Sequence, residues 1–217
     1  MRALIASTVL YPSDAVSTER LTAAAARVPG IVYIRTTRPK TAVIYDNDEE
    51  FPIGGSKTLR ASPADRVAII AAGVTLHEAL AAHDSLRRKG VHVRVIDAYS
   101  IRPLDEEAFA RAARETGTLV VVEDHAIDGG LGEAVAAAVD SMAPVPRLGV
   151  HELPRSAEIR KSQKNFNLSG RHTLRHARQS RARSILSSAA LYPAASFVNS
   201  SFAQKCMKNR RGSSLSM

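Results

Sequence analysis

Residues 67–90 read VAIIAAGVTLHEALAAHDSLRRKG. The opening run VAIIAAG is short, continuous and apolar, as expected of a strand buried on both faces, although such a run by itself is also compatible with buried helix. The residues that follow separate the two. Thr75 and Glu78 have the spacing of a capping box, in which a hydroxyl and a carboxylate satisfy the free N–H groups at a helix start. Leu76, Ala79, Leu80, His83 and Leu86 then fall on one helical side, and Gly90 supplies a C-terminal stop. A buried strand followed by an amphipathic helix is half of a βαβ unit.

The pattern recurs downstream. Residues 91–100, VHVRVIDAYS, read as a strand, and Pro103-Leu104-Asp105 opens a helix whose start carries Asp105, Glu106 and Glu107, acids that favour the positive end of the helix dipole. Gly117 ends that helix. Residues 118–124, TLVVVED, are a third strand, residues 129–142 a third helix, and residues 147–153, RLGVHEL, a fourth strand. Strands alternating with helices imply the α/β class, with a mainly parallel sheet and right-handed crossovers.

Upstream of this domain, Pro12-Ser13-Asp14 caps a helix over residues 15–27, and Gly30 leads into the strand IVYIRT. A single αβ unit is too small to bury a core alone, so it must pack on something else. Residues 39–65 contain Pro39, DNDEE, Pro52, Gly54-Gly55 and Pro63 and read as a connector. The expected organisation is therefore an αβ unit over 1–40, a connector over 41–65, a βα domain over 66–156 and a tail over 157–217. That tail has 12 serines in 61 residues and no apolar period, the composition of a disordered segment.

The charge is divided along the same boundary. Residues 157–217 hold 12 Lys and Arg against the single acid Glu158, whereas residues 1–156 hold 18 basic and 20 acidic residues, so the net charge of +9 belongs to the tail. Its arginines would neutralise nucleic-acid phosphates, but without interleaved aromatics or a known module nucleic acid is not the expected partner. The lone Cys206 rules out a disulfide framework and fits a reducing compartment. Residues 3–10 are short for a signal-peptide core and lack a cleavage pattern, and no run approaches the roughly 18 apolar residues of a membrane span. A cytoplasmic location is expected, with no membrane partner.

Three places carry chemistry-bearing side chains. Residues 120–134, VVVEDHAIDGGLGEA, gather Glu123, Asp124, His125 and Asp128 beside Gly129, Gly130 and Gly132. A metal site needs convergent ligands, yet neighbours on a strand point to opposite faces, so Glu123 and Asp124 cannot share one ion. The glycines lack the G-x-G-x-x-G spacing and read as a tight strand-to-helix turn with close packing. The stretch Arg35-Thr36-Thr37-Arg38-Pro39 sits at the C-terminal end of a strand, where open α/β sheets place ligands. An arginine there either clamps a phosphate or forms an interface salt bridge, and the residues alone leave both open. His77, near a helix start, reads as an exposed or capping residue.

Taken in order, STVLYPSDAVSTERL, IVYIRTTRPKTAVIYDNDEEFPIGGSK, AAGVTLHEAL, VRVIDAYSIRPLDEE, VVEDHAIDGGLGEAV and HELPRS resemble the C-terminal part of transketolase over about residues 7–156. The resemblance implies that residues 1–40 are the end of the pyrimidine-binding domain and that residues 66–156 are the transketolase C-terminal domain. It implies, for the complete enzyme, thiamine diphosphate and Mg²⁺ as cofactors, sugar-phosphate substrates in the pentose phosphate pathway, and a homodimer or a complementary transketolase chain as partner. Arg38, in the Thr-Thr-Arg-Pro motif, corresponds to a residue contacting the substrate phosphate, and Arg35 has no assignable counterpart.

Departures from the family pattern shape the expectation further. The Gly-Asp-Gly and Asn motif that binds metal and diphosphate is absent from the sequence, as is the segment carrying the glutamate that promotes ylid formation. After HELPRS the family continues with Gly-Lys-Pro and a final helix, whereas here the text turns Ser/Arg-rich at Ala157. The expectation is a truncated, frame-shifted fragment, or a separate subunit, that is inactive alone and holds no cofactor of its own. The competing reading is a non-catalytic interaction module whose basic tail docks on acidic partners.

Overall fold

The computed structural model describes residues 1–38 and 40–150, so the expected tail and the end of the last expected strand lie outside the described residues. The N-terminal unit is strand β1 (Ser7–Leu10), helix α1 (Ala15–Ala25) and strand β2 (Ile31–Ile34). Next come β3 (Lys57–Arg60), β4 (Ala68–Ala71), α2 (Val74–Arg87), β5 (Arg94–Asp97) and β6 (Ser100–Arg102). The chain then forms α3 (Glu106–Thr116), β7 (Leu119–Ala126), α4 (Leu131–Val139) and β8 (Arg147–Val150).

A five-stranded sheet in the order β3-β5-β4-β7-β8 forms the larger body, and β3 alone runs antiparallel. Alternation along the strands divides the core between its faces. Ile69 and Ala71, with Val95, Val120 and Val122, pack under Leu76, Ala79 and Leu86 of α2. Ala68 and Ile70, with Ile96 and Val121, pack under Phe109 of α3 and Leu131, Val135 and Val139 of α4. Each fully buried aliphatic side chain here stabilises the fold by about 1.5–3 kcal/mol, which is why the strands read as continuous apolar runs. The class is the expected one, α/β with a mainly parallel sheet.

The local punctuation of α1 and α3 is also as expected. Asp14 and Ser17 form a reciprocal capping box on α1, with Ser17 N–H donating to Asp14 Oδ1 at 2.8 Å. On α3, Asp105 accepts from the Ala108 N–H at 3.1 Å, and Gly117 takes the left-handed conformation at φ 72°.

Elsewhere tertiary demands override the local signal. The capping box expected from Thr75 and Glu78 does not form: Gly73, at φ 58°, precedes α2 without a side-chain cap. Thr75 Oγ1 lies 2.8 Å from the Ala72 carbonyl oxygen and 2.9 Å from that of Val122, because two strand ends present buried carbonyls that need a donor. Residues 91–100 do not form one strand either. The chain turns at Ala98-Tyr99, and β6 leaves the large sheet to pair antiparallel with β1. Tyr99 drives the turn by packing edge-on against Phe51, 5.1 Å away, and donating its hydroxyl to the Pro52 carbonyl at 3.0 Å.

Residues 57–60, in the stretch expected as a connector, supply the edge strand β3. Residues 7–10 form the central strand of a three-stranded sheet in the order β2-β1-β6. One face of that sheet is covered, with Leu10, Leu21, Tyr45, Phe51 and Tyr99 in a shared core. On β2, Ile31 and Tyr33 remain 51% and 39% exposed.

Candidate functional site

The C-terminal ends of β4, β5 and β7 meet the N-terminal unit. In a parallel sheet this is where ligands bind, above all where neighbouring strands lead to opposite sides, as β4 and β7 do here. The place is filled by Tyr11. A Cβ on Gly73 would lie 2.1 Å from the Tyr11 ring, so the turn after β4 must be glycine both for its φ of 58° and for this contact. The Tyr11 hydroxyl donates to Asp124 Oδ2 at 2.9 Å, and burial, reinforced by the charge of Asp124, pushes it above the ordinary phenol range, so it stays a donor.

Arg35 completes this contact. Its Nη2 donates to Asp124 Oδ2 at 3.0 Å, its Nη1 lies 2.8 Å from Oδ1 as an ion pair, and the guanidinium sits 4.7 Å from the Tyr11 ring centroid. Of the two readings left open for the arginine stretch, Arg35 takes the interface salt bridge. Arg38 is exposed and makes no ion pair among the described residues.

A second junction forms at the end of β5. Asp97 is fully buried, with Ser13 Oγ 3.1 and 3.0 Å from its two oxygens and the Tyr45 hydroxyl donating at 2.6 Å. Burial pushes its carboxyl up to about 7; the bonds from Tyr45 and Ser13 oppose the rise, Asp14 adds to it and Lys57 works against it. Asp14 shifts the other way. Burial raises it, but N–H donation from Ile44, Ser17 and Tyr45 outweighs burial and holds it below the usual carboxylate range. His77, expected to be exposed or capping, is half-buried and places Nε2 2.7 Å from the Ser13 carbonyl oxygen, tying α2 to the N-terminal unit.

Glu123 points to the other face of β7 from Asp124, as strand geometry requires, and caps α4 by accepting the Leu131 N–H at 2.8 Å. Its Oε2 lies 3.3 Å from His125 Nε2. Burial drives both partners toward neutrality: the Glu123 carboxyl rises to about 7 against the N–H groups of Gly132 and Leu131, and His125 falls below its ordinary value. The glycines serve the turn. A Cβ on Gly130 would lie 2.2 Å from Glu123 Oε2, and one on Gly132 would lie 2.7 Å from the Arg147 side chain. Asp128 is exposed at the rim of a cavity of about 330 Å³ that Arg2, Tyr33, Arg35 and His125 also line.

Among the described residues, no three His, Cys, Asp or Glu side chains are grouped to hold a metal ion. Asp124 is taken by Arg35 and Tyr11, and Glu123 by the start of α4. These residues do not fit a metal-bound diphosphate. No helix among the described residues is long and apolar enough to cross a membrane. Sequence reasoning missed Tyr11, Ser13, Tyr45 and Asp97; the available signal was an aspartate closing the apolar strand at residue 97, since a buried carboxylate needs partners.

The fold and site define an α/β module whose strand ends hold another segment of the same chain in the place where such sheets hold ligands. Residues 56–172 match the family described as transketolase, C-terminal domain, a span that begins inside the expected connector and runs past Ser156. The chain belongs to the transketolase family. It is 49% identical over 171 residues to transketolase-like protein 2 of Mus musculus, covering 77% of this chain and 27% of that protein. It is 44% identical over 170 residues to transketolase of Homo sapiens, again 77% of this chain and 27% of the relative. The chain thus spans little more than a quarter of these relatives. A solved split-gene transketolase, an inactive β4 tetramer, matches with a TM-score of 0.72 and 29% identity, covering 97% of this chain and 60% of that one.

Proposed function

We propose that this chain is the C-terminal part of a thiamine-diphosphate-dependent transketolase, which moves a two-carbon ketol unit from a ketose phosphate to an aldose phosphate. The observation that carries the reading is the family match over residues 56–172, combined with an N-terminal unit that ends in the exposed Arg38. In the assembled enzyme Arg38 binds the substrate phosphate, and the α/β domain contributes to contact between transketolase chains. The cofactor and its Mg²⁺ are held by residues outside this chain, so the chain alone has no transferase activity. A reducing cytoplasm is the location that suits a sequence with the single cysteine Cys206.

Calorimetric titration of the full chain with thiamine diphosphate and Mg²⁺ tests this directly. The expected result is no measurable binding, with ketol transfer gained only on addition of a transketolase chain carrying the remaining domains. Tight cofactor binding by this chain alone would overturn the proposal.

A further inference from the structure

The chain leaving β2 carries Arg38 and Lys40 in the open and returns to the core at Tyr45. Carboxylates hold it on both sides of those exposed cations. At its start Arg35 is gripped by Asp124, the two nitrogen–oxygen distances being 2.8 and 3.0 Å. At its return the Ile44 and Tyr45 N–H groups donate to Asp14 Oδ2 at 2.7 and 3.1 Å, and the Tyr45 hydroxyl donates to Asp97 at 2.6 Å. Asp124 and Asp97 lie toward the C-terminal ends of β7 and β5, the strands that flank β4. The large sheet therefore grips the Arg38 segment from two sides.

Such an arrangement is not needed for stability alone. Asp97 is completely buried, and a buried carboxylate is costly to desolvate, so an apolar side chain of similar volume would stabilise the junction as well or better. What the carboxylates add is direction: they fix backbone N–H groups, a hydroxyl and a guanidinium in one geometry. An arginine that binds a phosphate gains when its segment is ordered beforehand, because less conformational freedom is lost on binding.

We infer that Asp124 and Asp97, together with Asp14 of the N-terminal unit, are positioning residues for Arg38, so that the C-terminal domain shapes the phosphate-binding segment from behind without touching substrate. This rests on the reading of Arg38 as the phosphate ligand. It also gives the domain a task beyond contact between chains.

Two readouts on the full chain test it, with the variants Tyr45→Phe, Asp124→Ala and Asp124→Glu. Hydrogen exchange followed by mass spectrometry should show the Arg35, Ile44 and Tyr45 amides exchanging about tenfold faster or more in Tyr45→Phe and Asp124→Ala, with β4 and β7 unchanged and Asp124→Glu restoring most of the protection. Labelling of Arg38 with an arginine-selective dicarbonyl, with and without inorganic phosphate, should show that phosphate shields Arg38 and that the first two variants need severalfold more phosphate for the same shielding. Unchanged exchange in both variants, or a loss spread equally over the large sheet, overturns the positioning role. A wild-type Arg38 that phosphate does not shield overturns the phosphate reading, and the exchange data then judge the grip by itself.

Discussion

The two sheets among the described residues are finished to different degrees. The five-stranded sheet is covered on both faces, by α2 on one and by α3 and α4 on the other, with Ile69, Ile70, Phe109, Leu119 and Leu131 at 0–1% exposure. The three-stranded sheet is covered on one face and leaves Ile31 and Tyr33 half open on the other. Its order is borrowed: β6 comes from the segment that follows β5 of the larger sheet, and Tyr11, Ser13 and Arg35 are anchored on Asp124 and Asp97. The larger body has what it needs for its own core, and the smaller one is joined to that body by polar contacts beside the apolar packing of Tyr11 and Tyr99. The polar part of such a junction has direction and modest strength, whereas a core built from apolar area has strength and little direction.

This contrast can be broken by experiment. The largest effect should come from Phe109→Ala, which removes a fully buried ring from the larger core and should cost about 3–5 kcal/mol in urea denaturation. A cost under about 1 kcal/mol would mean that the larger sheet is not the seat of stability. Gly73→Ala forces a methyl group into the Tyr11 ring at a positive φ, and such overpacking should cost about 1–3 kcal/mol. Its distinguishing sign is selective: limited proteolysis should quicken between residues 35 and 50 before the larger sheet is cut. Equal cutting across the chain would count against a separately anchored unit.

Asp97→Asn is read as a change of slope. The Asp97 carboxyl is raised from 3.8 to about 7 in the folded chain, so folding binds a proton there, and the associated stability is present below about pH 4 and lost as pH rises to about 7. Asparagine removes that dependence. The melting temperature of the variant, relative to the wild type, should therefore climb between about pH 4 and 7 and level off above. A flat difference across that range would show that Asp97 is not held protonated by burial. The smallest effect should be Tyr33→Ser on the open face of the small sheet, within about 0.5 kcal/mol of the wild type in the same urea experiment. A larger loss would mean that this face is covered after all.

Much of the helix punctuation, in both bodies, was legible in the sequence, because its determinants are local. Asp14 caps α1 through Ser17 and Asp105 caps α3 through Ala108, three residues away in each case, and Gly117 stops α3 by its own backbone freedom. Glu123 and Asp124 diverge because adjacent residues on any strand do. Thr75 shows where such reading stops: its spacing to Glu78 is that of a cap, but the hydroxyl goes to Ala72 and to Val122, 47 residues away. The same holds for residues 98–99, where an apolar strand pattern gives no warning that Tyr99 turns the chain into a second sheet.

The site divides along the same line. Sequence resemblance singled out Arg38 and named the family, and the βα repeat set the class of the large sheet, since apolar period and helix punctuation act within a few residues. Only the tertiary structure gave Arg35 a role, pairing it with Asp124 while Arg38 stays open. Only it brought Tyr11 to Asp124 across 113 residues and Ser13 to Asp97 across 84. The physical reason is desolvation. A carboxylate closing an apolar strand must find donors when it is buried, and which donors it finds depends on what the completed fold lays against the strand's end.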